Sequence, residues 1–253
     1  MNTLVIWAHP RSESYSHALL QCSVAALRRA GHQVEVIDLY ATGFQPAMAD
    51  AEWLAYRQFR PEPDALTLGH IEQVRRAEQL VFVYPTWWFG LPAILKGWLE
   101  RTMVPGLAFD FNASGQIRGN LGSLRRIVGV ATYGSAPWYV HLIGDAGRRT
   151  LTRCLRISSP KPWRVRVSWL ALYRLDTATA ETRSAFLAHV DQVLSAPPAT
   201  RLTWFHSRVS RLRRVSHRPS HRRRPPEAGP PAFPLADLEL DSIDLRVGPG
   251  ESS

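Results

Sequence analysis

Three short segments carry the residue types that hold an anion and a flat ring. The first, residues 9–18 (HPRSESYSHA), sets Ser12, Ser14 and Ser16 where an apolar run gives way to a helical pattern. Free amides at a helix start form a ready anion site, and nearby hydroxyls add hydrogen bonds to it. The second, residues 85–90 (PTWWFG), places Pro85, Thr86, Trp87, Trp88 and Phe89 in a row. Rings of this size in a turn, rather than on a buried face, suit a flat aromatic ligand. The third, residues 132–139 (TYGSAPWY), supplies Thr132, Tyr133, Gly134 and Tyr139. Together they match a ligand that has both a phosphate and an aromatic ring system.

Each segment follows an apolar run that reads as a strand and leads into a helical period. Strands are expected at residues 3–8, 33–39, 80–84, 126–132 and 165–170, and helices at 16–30, 49–59, 68–77, from 91, 139–155 and 179–194. Gly31 is placed to end the first helix. In the fourth, Pro92 stands in the first turn, where its missing N–H costs nothing. There Leu91, Ile94, Leu95, Trp98 and Leu99 recur at the spacing of a buried face. Strands separated by helices imply right-handed crossovers and a parallel sheet covered on both sides. All three segments then fall at the carboxyl edge of that sheet, where open α/β folds bind ligands.

Composition bounds the rest. At 253 residues with 45% hydrophobic content, the chain can bury one substantial core. The formal charge is +10, and 29 of the 31 basic residues are Arg, so a biased composition accounts for the excess as well as an anionic partner does. Cys22 and Cys154 have no ligand-like spacing and are expected as buried small hydrophobes in a reducing compartment. No metal site is indicated. No basic segment precedes a long apolar run at the start, and no stretch reaches the roughly 20 apolar residues that span a bilayer, so a cytoplasmic setting is expected.

Residues 1–196 read as one domain. From residue 197 onward the character changes: prolines, an arginine cluster at 210–224 and an acidic-apolar stretch (LADLELDSIDL) replace the periodic pattern. Such sequence cannot offset its ordering entropy, and residues 197–253 are expected to be disordered. Contact of this basic tail with nucleic acid or a membrane surface is the sharper alternative, weakened by the lack of aromatics among the arginines.

Asp38 closes the second strand where a Rossmann site keeps its ribose-binding acid. A Rossmann turn also needs a G-x-G-x-x-G run, and residues 9–20 contain no glycine. That argues against a dinucleotide held in Rossmann fashion.

The segments HPRSESYSHALL, DLYATGFQPAM (residues 38–48) and YPTWWFGLPAILKGWLER resemble the NAD(P)H:quinone oxidoreductases, flavoproteins with a flavodoxin-like fold. The likeness covers about residues 1–195. It implies an α/β three-layer sandwich with a five-stranded parallel sheet of order 2-1-3-4-5, in a homodimer. It implies FAD or FMN as cofactor, NAD(P)H as co-substrate and a quinone-like acceptor, in a ping-pong transfer through flavin N5. His9, Ser14, Tyr15, Ser16 and Ala18 match the phosphate end. Pro85, Thr86, Trp87, Trp88 and Phe89 match the isoalloxazine platform, with Thr132, Tyr133, Gly134 and Tyr139 at its other edge. Tyr139 matches a tyrosine that moves charge and protons. His141 is the candidate for the accompanying histidine, though it stands closer to Tyr139 than the family spacing has it. Tyr133 stands where a glycine is common.

Two other readings belong to different classes. Some relatives are flavin-binding ancillary subunits of potassium-efflux transporters, which would require a docking face. A flavodoxin-like electron carrier is the third, and a basic net charge is atypical for it.

Overall fold

Residues 2–7 alternate their side chains between two covered faces, and this first strand organises the sheet around it. The computed structural model of the chain describes residues 1–112, 114 and 116–196; the tail predicted from residue 197 lies outside the described residues. In chain order the elements are β1 (Asn2–Trp7), α1 (Tyr15–Arg29), β2 (Gln33–Asp38), α2 (Asp50–Arg57), α3 (Ala65–Arg76), β3 (Gln79–Pro85) and α4 (Ala93–Thr102). There follow β4 (Phe109–Phe111), β5 (Ile117–Gly119), β6 (Arg126–Thr132), α5 (Pro137–Ile143), α6 (Ala146–Arg149), α7 (Leu155–Ile157), β7 (Arg166–Leu172) and α8 (Ala180–Ser195).

The main sheet runs β2-β1-β3-β6-β7, every neighbouring pair parallel. With the small antiparallel hairpin β4–β5 set aside, this is the expected 2-1-3-4-5 order. Strands β3 and β6 are almost wholly buried, whereas edge strand β2 exposes Gln33 and Glu35, polar side chains that discourage edge pairing. On one face Leu4, Ile6, Leu80, Phe82 and Ile127 pack with Ile71, Val74, Leu95 and Trp98. On the other, Val5, Trp7, Val81, Val83, Val128 and Val130 meet Leu19, Leu27, Phe186, Val190 and Leu194. Gly129 admits the Trp169 ring onto the sheet, since a β-carbon there would lie 2.1 Å from it.

Helix α2 buries none of its residues. It is tied down instead by Glu52, which accepts from Arg101 Nε at 3.0 and 2.9 Å. The same guanidinium donates to the Gln45 carbonyl and to Asp64, both at 2.6 Å, so one buried cation fastens the connection between β2 and α3.

Three expectations need correction. The helix predicted over residues 139–155 breaks at Gly144 and Asp145, whose φ values of 98° and 44° are left-handed. Gly144 caps α5, Asp145 caps α6, and the run continues through a π-turn, Thr150–Cys154, into α7. The hairpin β4–β5 was not foreseen in residues 106–119. Cys154 is exposed and Cys22 half-buried, so neither is the buried hydrophobe expected. Among the described residues no helix is long and apolar enough to cross a membrane.

Candidate active site

The loops after β1, β3 and β6 meet at the carboxyl edge of the sheet. In the first, Ser14 caps α1, its hydroxyl accepting from the His17 amide at 3.2 Å. The amides of Tyr15 and Ser16 open the helix with no acceptor among the described residues. They leave two N–H donors beside the positive end of the helix dipole, a place where an anion can be held. Ser16 is buried and accepts from Trp7 Nε1 at 3.0 Å, so Trp7 sets its orientation. Tyr15 instead donates its hydroxyl to the Arg183 carbonyl at 2.7 Å, tying α1 to α8. His9 stacks on Trp7, 6.3 Å between ring centres, with Nδ1 3.0 Å from the Arg11 amide. Partial burial, with the Arg11 charge acting the same way, holds its imidazole below the usual value, although the Arg11 carbonyl opposes this. Ala18 lies half-buried one turn into α1.

The second loop is a two-residue reverse turn. Trp87 and Gly90 exchange backbone hydrogen bonds at 3.3 and 3.0 Å, and the residues between them, Trp88 and Phe89, have φ of 49° and 58°. Bulky side chains avoid this region, at about 1–2 kcal/mol per residue, and strain of that kind gathers at ligand sites. Trp88 is 96% exposed, and its amide and that of Phe89 are unbonded among the described residues. Gly147 of α6 backs the turn so closely that a β-carbon would come within 3.2 Å of Gly90 and Leu91. Thr86 donates both its amide, at 2.8 Å, and its hydroxyl, at 3.0 Å, to the Thr132 carbonyl. Pro85, the last residue of β3, pairs with Thr132 in register.

The third loop divides its residues between surface and interior. Tyr139 is exposed on α5 and meets Phe89 edge-on at 5.4 Å, bringing the second and third loops together. His141 is exposed on the same helix. Gly134 lies against the Asp176 carboxylate: a β-carbon would sit 2.7 Å from it. Tyr133 turns inward. Its hydroxyl donates to Asp145, accepts from Trp169 Nε1 at 3.2 Å, and its ring stacks on Tyr173 at 4.7 Å. Its amide donates to the Leu172 carbonyl at 2.8 Å and its carbonyl accepts from the Leu175 amide at 3.0 Å, so Tyr133 is engaged by the fold at backbone and side chain alike. Burial raises the hydroxyls of Tyr84 and Tyr133 well above the ordinary phenol and that of Tyr173 above it, so all three stay protonated.

The sequence reading passed over Trp7, Asp145, Trp169 and Asp176. Of these, Asp145 left a signal: a Gly-Asp pair inside an otherwise helical run. Trp7 looked like an ordinary strand residue, and nothing local marks its bond to Ser16.

A family profile described as a flavodoxin-like fold matches residues 1–156. A curated relative from Cavia porcellus, named NAD(P)H dehydrogenase [quinone] 1, is 35% identical over 153 residues, 54% of this chain and 54% of its own length. The chain thus spans about half the length of that relative. A solved NAD(P)H:quinone oxidoreductase from Methanothermobacter marburgensis is similar with a TM-score of 0.67 at 24% identity, over 77% of this chain and 98% of that one. An FMN-dependent NADH-azoreductase from Bacillus anthracis, solved with FMN, reaches 0.60 at 18% identity, over 77% and 98%. The last two likenesses concern the fold. With more than half of its residues matched and the strand order in agreement, the chain belongs to the flavodoxin-like fold family.

Proposed function

We propose that the chain is an NAD(P)H-dependent flavin oxidoreductase that passes two electrons to quinones or similar acceptors, with residues 1–196 as its flavin domain. The observation that carries this reading is the strained Trp88–Phe89 turn, which offers rings and unbonded amides at the same sheet edge as the open first turn of α1. The residues present fit a flavin. The amides of Tyr15 and Ser16 take its phosphate, the amides of Trp88 and Phe89 meet the polar rim of its ring, and the Thr86–Thr132 pairing holds the floor between them.

When bound, the flavin supplies a two-electron centre that accepts hydride from a nicotinamide. The chain's own part is placement and charge. The aromatic turn and Tyr139 stack the partners, and a stacked pair at roughly 3–3.5 Å reacts without further search. Tyr139, whose ring meets Phe89, and the exposed His141 two residues on along α5 are the groups that would hold a proton or exchange it with water. Neutral His9 at the phosphate end donates without adding charge. A second copy of the chain completes the assembly as a homodimer. The named relatives are dehydrogenases, which favours this reading over an ancillary transporter subunit.

The test is an absorption spectrum of the purified protein supplied with FMN or FAD, repeated after NADPH is added without oxygen. A flavin band that bleaches supports the proposal. Protein that leaves the flavin free in solution overturns it.

A further inference from the structure

The charge of this chain is segregated along its length. Residues 1–110 hold nine Lys or Arg and eleven Asp or Glu, whereas residues 111–175 hold eleven and one. The single acid is Asp145, which is buried. Compositional bias toward arginine would not also remove carboxylates from one stretch. Pairing divides less sharply, since Arg28, Arg57 and Arg60 of the first stretch also have no ion pair among the described residues. Arg11, Arg29, Arg75, Arg76, Lys96 and Arg101 each face a carboxylate in an ion pair. Among the described residues no ion pair engages Arg118, Arg125, Lys161 or Arg164, and all four are exposed.

The fold gathers these cations at the amino edge of the sheet, opposite the ligand loops, with two carboxylates among them: Asp110, in register with Arg118 across the hairpin, and Glu78, whose carbonyl accepts from the Arg125 amide. Arg125 precedes β6, and its carbonyl accepts from the amide of Arg166, the first residue of β7, at 2.9 Å. Gly119, next to Arg118, packs on the Ile157–Ser158 backbone, and the Leu121 amide donates to the Ser158 carbonyl at 2.8 Å. Arg156 Nε donates to the Pro162 carbonyl at 2.6 Å, drawing the connection that carries Lys161, Trp163 and Arg164 against the end of α7. Among these cations stand Trp163, 71% exposed, and Ile157, 67% exposed.

We infer that this edge is a docking surface for an anionic lipid bilayer. Cations draw it to the negative leaflet, each contributing on the order of 1 kcal/mol near the surface. An exposed indole and an aliphatic side chain among them suit the headgroup boundary, where amphipathic rings settle. Single-stranded nucleic acid would call for a run of stacking rings along a groove, whereas here the hairpin ring of Phe111 is engaged edge-on by Phe59 and Phe109, which leaves Trp163 as the free ring among these cations. Docking by the amino edge leaves the carboxyl edge facing the aqueous phase, open to soluble ligands.

The full chain is mixed with vesicles of phosphatidylcholine alone or with phosphatidylglycerol, and co-sedimentation is followed at low and high ionic strength. Binding to the anionic vesicles alone, weakened by salt, is expected. The triple substitution Arg125→Gln, Lys161→Gln and Arg164→Gln should weaken it by roughly 100-fold. Trp163→Ser should weaken it in a way that low salt does not restore, and serves as the independent variant if the triple one fails to fold. Because residues 210–224 are also basic, a control carries Arg222→Gln, Arg223→Gln and Arg224→Gln and should bind as the unaltered chain does. The inference is overturned if neither vesicle binds or if the control loses binding while the triple variant keeps it. It is equally overturned if the triple substitution abolishes binding to single-stranded RNA and leaves vesicle binding intact.

Discussion

The Tyr133 hydroxyl lies 3.2 and 3.1 Å from the two carboxylate oxygens of Asp145, joining the end of β6 to the cap of α6 inside the protein. Since α6 backs the Trp88–Phe89 turn through Gly147, this buried contact ties the third ligand loop to the second. Burial raises the Asp145 carboxyl, and the opposing pull of Tyr133, the Arg148 amide and the charges of Arg148 and His141 does not cancel it. A carboxyl raised on folding favours the native state when protonated, below its unfolded value of 3.8. That contribution is lost as pH rises through the folded value.

Asp145→Asn keeps an acceptor for Tyr133 and has no charge to desolvate. Its melting temperature relative to the unaltered chain should therefore climb as pH rises above about 4, where the carboxyl of the unaltered chain begins to ionise at a cost to the native state. An asparagine variant that loses ground over this range would show that Arg148 and His141 dominate the carboxylate instead.

Tyr15→Phe separates two roles for one side chain. Its hydroxyl is spent on the Arg183 carbonyl, so its removal should cost about 1 kcal/mol of stability, a few degrees in melting temperature. Flavin affinity should hardly change, because the Tyr15 amide is untouched. A large loss of affinity with unchanged melting would place the hydroxyl on the ligand.

Trp88→Gly should move stability and binding in opposite directions. Glycine adopts the left-handed conformation freely, and relief of strain, less the added freedom of the unfolded chain, leaves a gain of about 0.5–1 kcal/mol. Loss of the exposed ring should weaken flavin retention by up to about tenfold. Calorimetry and flavin fluorescence titration on one preparation check both signs, and tighter flavin binding by the variant would remove the platform role.

Arg101→Ala should be severe, at about 3–5 kcal/mol, because it strands the nearly buried Glu52. Amide exchange in α2 should accelerate most, since that helix buries no residue fully and Tyr56 packs only partly against the core. Unchanged protection there would mean that some other contact anchors it.

The sheet was legible because β1, β3 and β6 are buried on both faces and read as apolar runs bounded by polar turns. Strand 126–132 emerges with its expected bounds, and the others shift by one or two residues. The break in the helix was masked, because Leu151 and Leu155 continue the apolar spacing beyond Gly144 and Asp145 and outweigh the signal of that pair. The hairpin β4–β5 escaped because three-residue strands are too short to show a period. At the site, residue type located the three loops, but not the direction of each side chain. Tyr133 and Tyr139 look alike in sequence. One sits beside Asp145 in the core and the other faces solvent, a choice made by long-range packing with Trp169 and Phe89.

The double hydrogen bond from Thr86 to the Thr132 carbonyl has a bearing on traffic through the site. It welds the second and third loops into a single jaw. Residues 9–14 form the other, latched at its rim by the His9–Arg11 contact and an exposed Arg11–Glu13 pair. For a flavin held as proposed, the less firmly bonded of the two should yield first, so residence time should be governed at the phosphate end. Substitutions among residues 9–14 should alter how long a flavin stays, while those in the aromatic turn alter how firmly it is held at equilibrium.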